Sequence, residues 1–266
     1  MSAEIAAFFD LDGTLMPLPS LERRFYRILR DRREIPVKNW FLWLREARKC
    51  LPRGIRAAAQ ANKMYLSGVK NFDETSAENP NDSTVRTSGH QDEGQASKPP
   101  KHNPRSPVPR FFEEGVERVT CHAMLGHSVV IVSGTLEPLA KAAARTLEGA
   151  IAARGFPRRI RVRATRLEEV NGQWTGEMLG EPIVGEAKAR VLGALAEEMH
   201  LDLSQCWAYG DSAEDRWMLA AVGNPVAMNP TFALRRIARK RGWPVLRTTD
   251  RVLITQNLLP QAERCA

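Results

Sequence analysis

The chain has 266 residues, 43% of them hydrophobic and 26% charged, which suffices for one large domain or a core with a smaller partner and excludes wholesale disorder. A formal charge of +8 points to anionic partners, whether phosphorylated metabolites, acidic lipids or nucleic acid. The start, MSAEIAAFFDLDG, lacks the basic region and apolar run of a signal peptide, and no stretch is long enough to span a membrane. The expectation is a cytoplasmic protein, peripheral to the inner membrane surface at most. Its four cysteines, Cys50, Cys121, Cys206 and Cys265, show no CxxC or zinc spacing and are expected to be reduced thiols.

In chain order, residues 5–9 form a short apolar run ending at Asp10, which predicts a buried strand broken by the turn Asp12-Gly13. Residues 21–69 read as helical. Leu21, Phe25, Ile28 and Leu29 follow one helix face. A second segment, 39–50, carries Trp40, Phe41, Trp43 and Leu44, and a third covers 55–67. Residues 72–109 are nearly free of aliphatic side chains and rich in Ser, Asn, Pro and acids. They predict a disordered or loosely held insertion, either a regulatory linker or a tolerated loop expansion.

An α/β alternation follows. Helices are expected at 111–125, 138–153, 188–200 and 213–222, and strands at 128–132, 159–164, 206–209 and 225–228. Asn171-Gly172 signals a hairpin. Such alternation predicts a three-layer, doubly wound, mostly parallel sheet, with ligands outside the carboxyl ends of its strands.

Four motifs sit at those ends. Asp10-Leu11-Asp12-Gly13-Thr14 places two carboxylates two residues apart straight after a buried strand. Close like charges raise each other's pKa, and a divalent cation removes that objection. Asp10 can then attack phosphorus while Asp12 shuttles a proton. Otherwise the pair is a strand-ending turn with exposed acids. Ser133-Gly134-Thr135 suits a phosphate oxygen at a helix start, or is a plain helix cap. Lys188, in Gly185-Glu186-Ala187-Lys188, can neutralise repulsion between nucleophile and phosphate, or is a solvated helix residue. Asp211 and Asp215, in Gly210-Asp211-Ser212-Ala213-Glu214-Asp215, offer the oxygen ligands that magnesium prefers, or cap a helix dipole. His122 and His127 read as structural, and Trp207 and Trp217 as core.

With FFDLDGTL, VVIVSGT, ATRLEEVNGQWTG, GEAKA and WAYGDSAED in this order, the chain resembles the haloacid dehalogenase superfamily, in its subfamily IB, phosphoserine-phosphatase-like branch. The resemblance implies a core of residues 1–15 and 111–266 with a helical cap, 16–72, inserted after the first strand and followed by the 73–110 insertion. It implies Asp10 as the nucleophile that forms an aspartyl-phosphate, Asp12 as general acid/base with its carbonyl on Mg²⁺, and Lys188 as the neutralising catalytic lysine. Ser133, Gly134 and Thr14 would bind phosphate. Asp211 and Asp215 would join Asp10 and Asp12 at the metal. Two departures count against phosphoserine as substrate: Glu22 is the nearest acid in the early cap but out of register, and Glu214 stands where Asn is usual.

From Met16 to Lys70 there are fourteen Lys or Arg against four acids. This basic cap reads as a solvated surface, as a funnel for a polyanionic substrate, or as an attachment to anionic membrane through Trp40, Phe41 and Trp43 beside Lys38, Arg45, Arg48 and Lys49. The same aromatics can instead pack inside the cap. No nucleic-acid-binding motif is present. The expected function is a Mg²⁺-dependent phosphomonoester hydrolase acting on a small phosphorylated metabolite. The alternatives are a membrane-surface lipid phosphomonoesterase, of lysophosphatidate or phosphatidylglycerophosphate type, and a non-catalytic lipid- or partner-binding module on a phosphatase scaffold.

Overall fold

Strand β1 (Ala6–Phe9) is four apolar residues in a row, and all four are fully buried. A strand without a polar face needs cover on both sides, the condition of a central strand in a parallel sheet. The computed structural model describes residues 4–50, 63–71, 109–249 and 252–253. After β1 come α1 (Leu21–Asp31), α2 (Val37–Cys50) and a 3-10 turn at Met64–Leu66. Then follow β2 (Phe111–Phe112), α3 (Glu113–Met124), β3 (Ser128–Leu136), α4 (Glu137–Ala152) and β4 (Ile160–Thr165). A hairpin, β5 (Leu167–Val170) and β6 (Gln173–Met178), precedes α5 (Glu186–Met199) and β7 (Trp207–Gly210). The 3-10 turn Ala213–Asp215, α6 (Arg216–Ala220), β8 (Asn224–Met228), α7 (Phe232–Arg241), β9 (Val245–Leu246) and β10 (Val252–Leu253) complete the order.

The main sheet has the order β4-β3-β1-β7-β8-β9, and every pairing in it is parallel. The chain builds outward from β1 through β3 and β4, then returns to build the other side through β7, β8 and β9. Strand order therefore reverses at β1, which opens a crevice at the carboxyl ends of β1, β3 and β7. Alternation along β1 divides the core. Ala7 and Phe9 join the cluster with Val116 and Val119 of α3 and Leu147 of α4. Ala6 and Phe8 join the cluster with Leu192 of α5, Leu219 of α6 and Leu234 of α7. This is the expected three-layer arrangement.

Asn171 and Gly172 take φ of 53° and 73°, as a two-residue turn with both central residues left-handed requires. The β5–β6 hairpin extends away from the main sheet and meets the segment 63–71. Gly68 N donates to Trp174 O (2.8 Å), Trp174 N to Val69 O (3.0 Å), and Asn71 N to Gly172 O (2.9 Å). The hairpin thus gains a third extended segment from the chain between α2 and β2. Gly176 makes the approach possible: a Cβ there would lie 2.8 Å from Met64 Cα.

Several expectations change. Of the helical segment expected at 55–67, residues 55–62 lie outside the described residues; its last residues form a 3-10 turn at Met64–Leu66, after which Gly68, with φ of 75°, leads the chain into pairing with the hairpin. The expected 72–109 insertion lies, but for Pro109, outside the described residues. Trp217 is 37% exposed, with the Arg216 guanidinium over its ring, rather than in the core. Cys206 is a free buried thiol, whereas Cys121 is disulfide-bonded and so departs from four reduced cysteines. Sequence reading alone leaves out α7 and β9. Among the described residues no helix is long and apolar enough to cross a membrane.

Candidate active site

Asp10 is the first residue past β1, and its N–H still donates to Tyr209 O of β7 (2.9 Å). The chain then folds tightly on itself: the N–H groups of Leu15 and Met16 both donate to Leu11 O, at 3.0 and 2.9 Å. Gly13 sits in this turn at φ +93°, and a Cβ on it would stand 2.4 Å from Asp211 Oδ2. Only glycine tolerates both the conformation and the contact. Asn229, beyond β8, donates from Nδ2 to Gly13 O (3.3 Å).

Asp211 is the first residue past β7. The 3-10 turn after it brings Asp215 back under the site, where Asp215 Oδ2 accepts from Ser212 N and Ser212 Oγ, each at 2.9 Å. Lys188, in the first turn of α5, reaches in from the other side. Its Nζ donates to Asp10 Oδ1 (2.6 Å) and Asp215 Oδ1 (2.5 Å). Carboxylate oxygens of Asp10, Asp211 and Asp215 lie within 4.8 Å of one another, and all three residues are buried.

The electrostatics follow from that crowding. Burial pushes Asp10 up to about 7; Lys188 opposes the rise and Asp215 adds to it. Burial, then the charges of Asp10 and Asp215, push Asp211 up to about 8 against the pull of Lys188. Burial disfavours the charged Lys188 as well, but Asp10 and Asp215 outweigh it and hold the ammonium above its ordinary range. Three carboxylates and one ammonium leave uncompensated negative charge in a buried place. Hard oxygen donors with that excess fit a divalent cation such as Mg²⁺.

Asp12 behaves differently. Its Oδ1 accepts from Leu21 N (2.7 Å) at the start of α1, and its Oδ2 accepts from Thr135 Oγ1 (2.6 Å). Burial raises its pKa while these two hydrogen bonds pull it down. Its carboxylate is not among the three that cluster.

The sequence-predicted residues Asp10, Lys188, Asp211 and Asp215 are therefore brought together, with Asp12 alongside. Thr14 is buried, its Oγ1 3.5 Å from Asp10 Oδ2. Ser133 is buried too, but within β3 rather than at a helix start: α4 begins only at Glu137, and Ser133 Oγ accepts from Thr135 N (3.2 Å). The strand runs past Ser133 because its pairing with β4 continues, after a register shift, to Leu136. Gly134 is tightly overlaid, with a Cβ there falling 2.7 Å from Val184 Cγ1. Sequence reasoning does not mark Thr135, Ser212 or Asn229. A hydroxyl two residues after Ser133, and an Asn-Pro straight after the strand ending at Met228, were the available signals.

A cavity of about 680 Å³ lies between α1, α2 and the Met64–Leu66 turn. Its lining includes Ser20 and Glu22, the two chain neighbours of the Leu21 whose N–H meets Asp12, and Tyr26, Trp40, Trp43 and Tyr65 give it an aromatic wall. Glu22 Oε1 accepts from Lys63 Nζ (2.5 Å) and Tyr65 Oη (2.6 Å), so this acid is committed to partners from the chain itself.

A parallel sheet whose order reverses at β1, with a carboxylate–lysine centre at that switch point and helices inserted straight after β1, defines an α/β protein built around a strand-end aspartate. The chain belongs to the haloacid dehalogenase-like hydrolase family, whose model matches residues 7–220. A probable phosphatase from Mycobacterium tuberculosis is 38% identical over 139 residues, which is 52% of this chain and 45% of that protein. A phosphoserine phosphatase from the same organism is 38% identical over 133 residues, 50% of this chain and 40% of that protein. The chain thus spans under half the length of these curated relatives. Among solved structures, a protein of unknown function from Bordetella pertussis superposes with a TM-score of 0.62 at 25% identity, covering 92% of this chain and 99% of that one.

Proposed function

We propose that the protein is a Mg²⁺-dependent phosphomonoester hydrolase that works through an aspartyl-phosphate on Asp10. The observation that carries this reading is the buried cluster in which Lys188 bridges Asp10 and Asp215 beside Asp211. Asp10, Asp211 and Asp215 would hold the cation, with the main-chain carbonyl of Asp12. When bound, Mg²⁺ supplies positive charge that keeps the carboxylates ionised and offsets charge on the phosphoryl oxygens.

The chain's own groups divide the work. A carboxylate oxygen of Asp10 bonds to phosphorus as the ester P–O bond breaks, and Asp12 gives its proton to the departing alcohol oxygen. Asp12, now a base, takes a proton from water as the water oxygen bonds to phosphorus and the Asp10–phosphorus bond breaks. Lys188 holds Asp10 and opposes charge build-up, while Ser133, Thr14 and the backbone at Gly134 receive the phosphoryl oxygens. Burial lifts Asp12, which favours a proton there at the start of the cycle.

In this reading, residues 1–15 and 111–266 form the catalytic core and residues 16–72 a cap, to which the β5–β6 hairpin is docked. The substrate is a small phosphorylated metabolite whose alcohol portion faces the aromatic-walled cavity. Glu22, already paired with Lys63 and Tyr65, is a poor partner for a substrate ammonium, so phosphoserine is disfavoured. The test is phosphate release across phosphorylated amino acids, sugars, polyols and lysophospholipids, with Mg²⁺ or with EDTA. Release from one class, lost with EDTA and lost in Asp10→Asn with the fold intact, is expected. Equal release by Asp10→Asn sinks the mechanism. Silence across the whole panel favours a non-catalytic binding module.

A further inference from the structure

Helix α2 packs Leu42 and Trp43 half-buried and yet leaves a second apolar stripe outward. Val37, Trp40, Phe41 and Leu44 follow the i, i+3, i+4, i+7 spacing of a single face. That face is the exposed one: the four side chains are 74%, 44%, 70% and 54% accessible. The inward side carries Asn39, fully buried, and Ala47, with Leu42 and Trp43 half-buried beside them. Asn39 Nδ2 donates to Tyr65 O (3.1 Å) and Ser67 O (2.6 Å), both just beyond the reach of α2 itself. A buried amide with two such bonds fixes the rotation of the helix, since turning the apolar stripe inward would strand it without partners.

The surroundings of the stripe say what covers it. Lys38, Arg45, Arg48 and Lys49 flank it and are exposed. The one acid on α2, Glu46, is held by Lys49 (2.8 Å) and Arg45 (3.3 Å). Exposed aromatic and aliphatic side chains ringed by Lys and Arg match a surface that is apolar within and anionic at its rim. A second copy of the chain does not match it, because a two-fold contact would set these same cations against each other.

We propose that α2 is a docking surface for anionic phospholipid membrane, with Phe41 and Leu44 entering the acyl boundary and Arg45, Arg48 and Lys49 meeting lipid phosphates. This goes beyond the hydrolase reading and holds whether or not the protein is a phosphatase.

The test is co-sedimentation of the full chain with vesicles of phosphatidylcholine alone, or of phosphatidylcholine with about one third phosphatidylglycerol, at low and high salt. Binding at least about tenfold stronger to the anionic vesicles, weakened by salt, is expected. Phe41→Ser with Leu44→Ser should remove most of it, and so should Arg45→Gln with Arg48→Gln. Both variants should keep the parent's circular dichroism and melting temperature, together with any phosphatase activity on soluble substrates. Three results overturn the proposal: no preference for anionic vesicles; binding that the Phe41/Leu44 variant leaves untouched; or a concentration-dependent dimer that this variant abolishes, which would make the face a contact between copies.

Discussion

Asp12 and Gly13 show how much of the site depends on groups that carry no charge. Asp12 is aimed by Thr135 Oγ1 and by the N–H of Leu21. Thr135→Val removes the first of these while keeping the shape of the side chain. It is expected to lower kcat by about tenfold to a hundredfold through misplacement of the acid. Thr135→Ser should restore most of it, and equal kcat for the Val variant and the parent would remove Thr135 from the positioning role. Gly13→Ala puts a Cβ 2.4 Å from Asp211 Oδ2 in a left-handed turn. It should cost about 1–2 kcal/mol of stability, and raise the Mg²⁺ concentration needed for half-maximal activity. The charged residues were legible because each stands in a short motif, and the folded chain brings Asp10 past β1, Lys188 in the first turn of α5, and Asp211 and Asp215 past β7 together from three such places. Thr135 was not, because a lone hydroxyl acquires its role only when the Leu11–Met16 turn swings Asp12 across the crevice to β3.

At the level of elements, strands of the central sheet could be read from the sequence because runs such as AAFF and SVVIV leave no polar face. The hairpin could be read from Asn171-Gly172. Its destination could not: docking onto residues 63–71 depends on pairing across about a hundred residues, for which no local pattern exists. Helix α7 had readable signals, a Thr231 cap and Gly242 at φ 67° past its end, but its basic last turn dilutes the apolar periodicity. The α2 stripe was legible as spacing and not as direction, since Asn39 decides the rotation through contacts distant in sequence. Gly176→Ala tests the docking of the hairpin. At φ +90°, with Met64 Cα 2.8 Å from the new Cβ, the hairpin must shift from the 63–71 segment. Because that segment carries Lys63 and Tyr65 of the cavity, KM should rise several-fold while kcat changes little. A fall in kcat with KM unchanged would mean that the hairpin acts on Asp10 rather than on the cavity.

For the molecule as a whole, pH dependence of stability can be traced to one buried histidine. His122 on α3 is 4% exposed and lies against Phe9, Trp207 and Tyr209. One ring nitrogen shares a hydrogen bond with His127 Nδ1 and the other with Tyr209 Oη, both at 2.9 Å. Burial, then the neighbouring His127 and Arg118, bring its pKa from 6.5 down to about 4. The folded chain therefore keeps His122 neutral where the unfolded chain has already taken up a proton. Its contribution to stability is complete above pH 6.5, falls as pH drops from 6.5 towards 4, and stops changing once both states are protonated. At about 1.4 kcal/mol per pKa unit, the loss over that window is on the order of 3 kcal/mol. Carboxylates protonate over the same range, so the parent's curve alone does not isolate the effect. His122→Gln keeps a neutral hydrogen-bonding side chain and removes the titration. By urea unfolding, the parent should exceed this variant most at neutral pH, and the gap should shrink steadily towards pH 4. A gap that stays constant across the window would show that His122 is not what couples acid to unfolding.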